Sequence, residues 1–513
     1  MISKYAARAF LDRPLRDTNR FREKSHQWVA SMLATMHPTP RFETAPRHHQ
    51  NICFWLCIKR KELVLWLDMG TGKTKIMLDV FRQLRRQGDA KRCLVLVPTL
   101  STVETWREQR KTHAPDLSFR TCTGDLTKKA KTRLIERGKA HIVVLTYQGW
   151  LSLVSKTVKK KKRRRWTLDK PLLRRLASQF DMVVYDEVTA LQNNLSLVFR
   201  ASRAMRKIIT YRYGLTGTPF GRHPQDIWAQ FYAVDGGAAL GKTLGLFRAA
   251  FFTRSDNYWG GYIYNFRKRQ TRDLRRMVAH SSIRFGNEHC PDLPPLVRLR
   301  RPLRFHAGAL DHYADLREQW RDARGRVDVL QSVFLRARQL ASGYITGVDA
   351  LGNRQYARLR SVKMDDFLEF LWEVGPKEKV VVFHEYIYTG SWLSEVLGNQ
   401  RIGHERLYSG TRDRGAVLTR FNTDPTCRVL LVNNTSGALG LNLQKARYGY
   451  FFESPVDPKI RRQAECRLHR QGQKRRTYLV DPYIRNSVDE RIVEYLRQGK
   501  DLFAALVDGR EVL

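Results

Sequence analysis

At 513 residues the chain is about three times a typical domain length, so two or more domains are expected. A hydrophobic fraction of 42% is enough for real cores, and the lack of any run of 18 apolar residues argues against a membrane-spanning helix. Lys and Arg number 93 against 49 Asp and Glu, a net charge of +44 that repels itself and points to a polyanionic partner, nucleic acid ahead of an anionic membrane.

Residues 1–45 form a basic N-terminal extension with partly amphipathic pieces around Trp28, Met32 and Leu33, open to packing as a helix or to touching DNA. They carry no signal-peptide core. Gln50 follows, and its amide can both donate to and accept from the edge of an adenine. Cys53 and Cys57 fall one helical turn apart among Ile52, Phe54, Trp55 and Leu56, so they read as packed core thiols. The 7 cysteines include no C-x-x-C pair, and His289-Cys290 has no second ligand pair nearby. That usage suits a reducing compartment, and no structural zinc is predicted.

The run from Leu63 to Leu67 has strand character, and Met69 leads from it into Gly70-Thr71-Gly72-Lys73-Thr74. Ile76, Val80, Phe81 and Leu84 then recur at helical spacing until Gly88. Strand, glycine loop and helix are the context of a phosphate-binding loop. Glycines let backbone N–H groups approach phosphate oxygens, and the helix start adds partial positive charge. Lys73 would neutralise β- and γ-phosphates, and the Thr74 hydroxyl would ligate Mg²⁺. Leu67 stands where the full pattern has a further glycine.

Cys93–Pro98 and Ile142–Tyr147 read as buried parallel strands. Lys159-Lys160-Lys161-Lys162-Arg163-Arg164-Arg165, within 156–166, reads as a solvated loop, since like charges repel. Counterion release would reward its contact with phosphates. The strand Met182–Tyr185 ends in Asp186-Glu187, and paired carboxylates downstream of a phosphate loop have a definite chemistry. Asp186 would hold Mg²⁺ and Glu187 would orient and deprotonate the attacking water. Leu215-Thr-Gly-Thr-Pro219 then sets two hydroxyls on a turn.

From 224 to 375 the residues themselves carry no derivable chemistry. Tyr262, Tyr264, Phe266 and Arg267 suit stacking on bases or an ordinary packed surface equally. A second α/β pattern follows, with strands at Val380–Phe383, Arg428–Val432 and Tyr448–Phe452. Arg467 and Arg470, three apart, are expected on one helical face.

Taken together, these pieces resemble the Swi/Snf-type ATPases of helicase superfamily two. The matching segments are Gln50, Met69–Thr74, Asp186–Asn193, Leu215–Pro219, Gly437–Leu443, Gln463–Gln473 and Asn486–Ile492. Asp226–Gly237 is similar to compact bacteriophage members. The resemblance implies two tandem RecA-like, doubly wound parallel-sheet lobes with a helical, basic insertion between them. Lobe 1 is expected at 46–235, an insertion and linker at 236–295, and lobe 2 at 296–513. ATP and Mg²⁺ are the implied cofactors. The implied nucleotide contacts are Gln50, Met69, Gly70, Thr71, Gly72, Lys73, Thr74, Gly440 and Gln463, with Arg467 and Arg470 as arginine fingers. Pro98, Thr99 and the basic run are the implied contacts to DNA, duplex or branched, with little sequence preference. A monomer in the cytoplasm with no membrane partner is expected. Val188-Thr189, Cys466 and Asn434-Thr435-Ser436 depart from the family's usual residues. Two other readings remain open, an RNA-dependent DEAD-box-like helicase and a non-catalytic DNA-binding scaffold. The missing Asp-Glu-Ala-Asp and Ser-Ala-Thr signatures weigh against the first, and the full set of catalytic residues weighs against the second.

Overall fold

Short, continuous apolar runs settle the first sheet. The computed structural model describes residues 4–122, 126–160, 163–217, 224–256, 262–286, 289, 294–323, 326–349, 352–437, 441, 443–470 and 473–498. The chain divides into two units, Met1–Pro291 and Asp292–Leu513. In the first unit the strands are β1 (Glu62–Leu67), β2 (Cys93–Val97), β3 (Phe119–Thr121), β4 (Ile142–Thr146), β5 (Ser155–Lys160) and β6 (Arg163–Leu168). They continue with β7 (Met182–Asp186), β8 (Tyr211–Thr216), β9 (Phe252–Asp256), β10 (Tyr262–Phe266) and β11 (Ser282–Phe285). Among the described residues, seven of them form one sheet in the order β11-β1-β8-β7-β2-β4-β3, parallel at every pairing.

Each strand sends alternate residues to opposite faces. Val64, Leu94, Leu96, Val143, Leu145, Val183 and Tyr185 enter one core. Leu63, Leu65, Leu67, Val95, Val97, Val144 and Val184 enter the other. Apolar residues at every position are what a sheet covered on both faces requires, and they explain why these runs read as continuous rather than alternating. Pairs β5–β6 and β9–β10 are antiparallel ribbons outside this sheet.

The second unit repeats the plan. Its strands are β12 (Leu296–Leu303), β13 (Tyr344–Val348), β14 (Arg354–Arg358), β15 (Val380–His384), β16 (His404–Leu407), β17 (Val429–Asn433), β18 (Tyr448–Phe451) and β19 (Thr477–Ile484). The order β12-β19-β18-β15-β17-β16 is again parallel throughout, and β13–β14 is a separate antiparallel ribbon. Val380 and Val382 face one core, and Val381 and Phe383 the other. Helices Ala307–Asp322, Val327–Ala341 and Val488–Arg497 build a further core from Tyr313, Leu316, Val333, Phe334 and Ile492. The two parallel-sheet α/β lobes are as expected. Among the described residues, no helix is long and apolar enough to cross a membrane.

Of the two readings open for the N-terminal stretch, packing is the one found: Ala7 and Phe10 join one core of the first unit, and Val29 and Met36 the other. Thr18 fastens it further through its backbone N–H and its hydroxyl to the carbonyl of Ala279, at 3.0 and 2.6 Å. By contrast, 236–295 is not an insertion between lobes. Phe247, Phe251, Leu274 and Met277 pack into the first unit's core, and β11 pairs with β1 as an edge strand of its sheet. Four residues with a charge in the middle, Ser-Ile-Arg-Phe, give too short a pattern to register as a strand. Finally, the described part of 156–166 is not an irregular loop: β5 and β6 pair along the backbone from Ser155↔Leu168 to Lys160↔Arg163.

Candidate functional site

In an all-parallel sheet the carboxyl ends of the strands lie on one edge, which is where such folds bind ligands. β8 runs between β1 and β7, so this edge brings together the loop after Leu67, the pair Asp186-Glu187 and Thr216. The register is Trp66↔Thr216 on one side and Asp186↔Leu215 on the other.

Gly70 and Gly72 adopt φ of 86° and 90°, a region that side-chain-bearing residues avoid. Gly72 is also the N-cap of the helix Lys73–Arg86. A Cβ on Gly72 would fall 2.2 Å from Gln50 Nε2, so this position needs glycine on both counts. Gln50 itself is buried. Its Nε2 donates to Thr71 O at 2.9 Å, and its Oε1 accepts from Arg47 N at 2.9 Å. The residue expected to read adenine is thus a brace for the loop in this structure. His49 Nε2 lies 2.9 Å from the same Thr71 carbonyl, and burial pushes its imidazole below the ordinary histidine value. Leu67, the apparent defect in the loop pattern, is the buried last residue of β1. Its carbonyl accepts from Lys73 Nζ at 2.9 Å, and that of Asp68 accepts from the same ammonium at 3.4 Å. Met69 packs beside Gly217, where a Cβ would come within 3.7 Å of it. Thr74 is half-buried in the first helical turn.

Asp186 closes β7 with 7% of its surface exposed. Trp106 Nε1, from the helix Leu100–His113, donates to Asp186 Oδ2 at 2.8 Å. Tyr147 OH donates to the Asp186 carbonyl at 3.0 Å, and burial, helped by the neighbouring Asp186 charge, raises that phenol well above its ordinary value. It therefore stays a neutral donor at any working pH. Glu187 has φ 51° and ψ 65°, a left-handed conformation costing about 1–2 kcal/mol for a residue with a Cβ. Strain of this kind gathers where a side chain must be aimed. Here it brings Glu187 Oε2 to 3.3 Å from the hydroxyl of Thr216, itself fully buried at the end of β8. The sequence set the Thr216 hydroxyl on a turn without giving it a partner and left Trp106 unmarked; their contacts give both a place. Thr218 and Pro219 lie outside the described residues.

Pro98 is exposed just past β2, on the same strand-end edge, and Thr99 caps the next helix by accepting from Thr102 N at 3.4 Å. Lys161 and Lys162 lie outside the described residues, and Lys159, Lys160, Arg163, Arg164 and Arg165 are placed by backbone register alone.

In the second unit the helix Pro458–Leu468 carries Gln463 and Arg467, but it stops at Leu468. Arg470 therefore lies beyond its end, not on one helical face with Arg467. The stop is enforced by side chains: Gln473 Nε2 reaches Gln444 O and Ala446 O, both at 3.1 Å, and His469 Nε2 lies 2.7 Å from Pro294 O. Burial pushes the Arg470 guanidinium below the ordinary arginine value. Arg461, one and a half turns before Arg467, is spent internally. Its Nε donates to Glu465 at 2.8 Å, its Nη2 to Asp481 at 2.8 Å, and its guanidinium sits 3.4 Å from the Phe451 ring centre. Gly440 lies outside the described residues.

Comparison with known proteins agrees with this arrangement. The family "Type III restriction enzyme, res subunit" matches residues 20–221, and "Helicase conserved C-terminal domain" matches 362–472. The ATP-dependent helicase fft1 of Schizosaccharomyces pombe is 23% identical over 85% of this chain and 50% of its own length. Across these matches the chain is similar to Swi/Snf-type ATPases of helicase superfamily two. Another relative is the uncharacterized ATP-dependent helicase MG018 of Mycoplasma genitalium, 22% identical over 85% of the chain and 39% of its own length. The chain thus spans half or less of these two relatives. A solved Sulfolobus solfataricus SWI2/SNF2 ATPase core in complex with dsDNA aligns over 91% of this chain and 93% of that one, at 20% identity and a TM-score of 0.40.

Proposed function

We propose that this chain is a Swi/Snf-type, DNA-dependent translocase that hydrolyses ATP to ADP and phosphate while moving on, or remodelling, duplex or branched DNA. The observation that carries the reading is the gathering of Lys73, Thr74, Asp186, Glu187 and Thr216 at the carboxyl ends of three neighbouring strands. The names of relatives, among them the DNA repair protein rad8 of Schizosaccharomyces pombe, support the choice of DNA. So does the net charge of +44.

In this reading the glycine loop presents backbone N–H groups to the phosphates, and Lys73 exchanges its two carbonyl partners for phosphate oxygens. The donor set suits a hard divalent cation, a hydroxyl and a carboxylate that keep room for waters. Thr74 and Asp186 would hold Mg²⁺, which neutralises phosphate charge when bound. Glu187 orients the attacking water and takes its proton, with the Thr216 hydroxyl fixing the carboxylate. Trp106 holds the other carboxylate in one orientation. Arg467 and Arg470 of the second unit supply positive charge to the γ-phosphate during turnover. The chain acts as a monomer in a reducing cytoplasm, consistent with free, buried Cys53, Cys57, Cys93, Cys122, Cys427 and Cys466.

Phosphate release measured with duplex, forked, four-way-junction and single-stranded DNA, and with RNA, tests the proposal. DNA stimulation is expected; stimulation by RNA alone would replace DNA with RNA in the reading, and no stimulation by any of them would leave a scaffold. Duplex binding is expected to weaken by about tenfold or more between 50 and 200 mM salt, because phosphate contacts release counterions. A flat salt response would remove the phosphate contacts.

Trp106→Phe keeps the buried ring but deletes the N–H that meets Asp186. Partners of this second rank typically change metal affinity by 10–100-fold. The half-saturating Mg²⁺ concentration for ATP hydrolysis is expected to rise by about tenfold. An unchanged Mg²⁺ titration would show that Trp106 only fills space.

A further inference from the structure

The ribbon β9–β10 has two ends of opposite character. Directly opposed residues share a face, so Phe252↔Phe266, Arg254↔Tyr264 and Asp256↔Tyr262 stand along one side. At its base, Phe252 packs edge-on to Phe266 and to Phe247, both at 5.6 Å between ring centres, and is buried in the first unit's core. Further out the aromatic surface becomes accessible: Tyr262 is 53% and Ile263 46% exposed. Arginines climb the same side. The Arg248 guanidinium sits 4.1 Å from the Tyr264 ring centre, and that of Arg254 sits 4.1 Å from the Tyr262 ring centre.

A comparison within the same chain shows that this exposure is not simply what ribbons do. β13–β14 also carries a tyrosine and an arginine, but Tyr356 is stacked on Tyr388 at 4.1 Å with the rings 7° apart. Its Arg358 is neutralised by both oxygens of Glu395, at 2.8 and 2.7 Å. Among the described residues Arg254 has no ion pair, and exposed Lys268, Arg269 and Arg272 follow the ribbon directly. An aromatic ring with a guanidinium upon it, rooted in the first unit's core, with Asp256 the one carboxylate on its side of the ribbon and exposed cations following, suits a partner that is flat, apolar-faced and anionic. Unpaired nucleotides are that partner, because paired bases hide their faces in the stack while unpaired ones offer them to aromatic rings and guanidinium planes.

We infer that β9–β10 is a stacking platform for unpaired nucleobases of DNA, through which the protein distinguishes branched or single-stranded DNA from plain duplex. The inference rests on the DNA-binding reading above and narrows its substrate from DNA in general to DNA with an unpaired segment. Tyr262 makes the stack, and Arg254 holds the ring and meets the adjoining phosphate.

The test uses nucleotide-free binding of the chain to a duplex, a single strand and a fork of matched phosphate count, with 2-aminopurine at an unpaired position of the last two. The parent is expected to bind the fork and the single strand more tightly than the duplex and to quench 2-aminopurine. Tyr262→Ala is expected to weaken binding to both by about tenfold, within the range measured for one stacked base, and to lose the quenching. Duplex binding and the melting temperature should hold, since Tyr262 is half outside the fold. Tyr262→Trp should restore both affinity and quenching. Equal losses on all three ligands, or no loss on any, would overturn the platform while leaving DNA binding intact. Failure of the parent to bind any of the three would instead remove the DNA reading, and the platform with it.

Discussion

Glu187→Gln is expected to bind ATP as the parent does and to lose about 10²–10⁴-fold of its DNA-stimulated turnover, the range for removing a positioned general base. The geometry makes the substitution unusually clean. Gln is nearly isosteric with Glu and can still accept from the Thr216 hydroxyl now 3.3 Å from Oε2. The left-handed backbone at φ 51° is fixed by the end of β7 and the short helical turn Val188–Leu191, not by the carboxylate. What disappears is the capacity to take a proton. Binding of a fluorescent ATP analogue and phosphate release, measured side by side, separate the two. Turnover within twofold of the parent would take the base role away from Glu187. Weakened nucleotide binding would mean that it holds the ligand rather than the water.

The strand-loop-helix at Leu63–Leu84 and the pair Asp186-Glu187 were legible in the sequence because each is a local pattern. Glycine at φ 86° and 90° and a strand ending in two carboxylates need no distant residue to be recognised. What stayed hidden depends on contacts far apart along the chain. Trp106 meets Asp186 across 80 positions, and Thr18 meets Ala279 across 261. An indole read alone is a core residue, and a threonine in a basic stretch is a loop residue. β11 was hidden for a different reason: its neighbour β1 precedes it by over 200 residues, and no four-residue strand announces such a pairing. Gln50 was recognised as belonging to the loop but for another contact than the one found, since an amide that can read adenine can equally hold a carbonyl. The charged ribbon β5–β6 shows the limit of reasoning from repulsion. Backbone pairing along six residues each side forms in a stretch so rich in cations, and nothing local in the sequence weighs that pairing against repulsion.

Arg470→Ala is expected to reduce turnover by about 10³–10⁵-fold, the effect of withdrawing an arginine finger from a γ-phosphate. Its environment separates it from the other arginines of the same segment. Arg461 is committed to Asp481, Glu465 and the Phe451 ring, so Arg461→Ala strands a buried carboxylate and should cost about 3–5 kcal/mol of stability. Arg470 lies past the helix end, is desolvated enough that burial lowers its pKa, and has no ion pair among the described residues. A half-buried guanidinium without a carboxylate partner gains from a phosphate what it gives up in hydration, so losing it should cost turnover and not folding. Arg470→Lys keeps the charge but not the planar fork that grips two oxygens at once, and is expected to recover little. The pair of variants therefore forms a crossed test. Arg461→Ala should lower the melting temperature whatever ATP does, while Arg470→Ala should melt as the parent and bind ATP with near-parental affinity. If Arg470→Ala turns ATP over normally, the finger is Arg467 alone, whose place in the last helical turn makes it the remaining candidate. If it unfolds instead, Arg470 is a core cation like Arg461, and the site on the first unit must complete its chemistry without it.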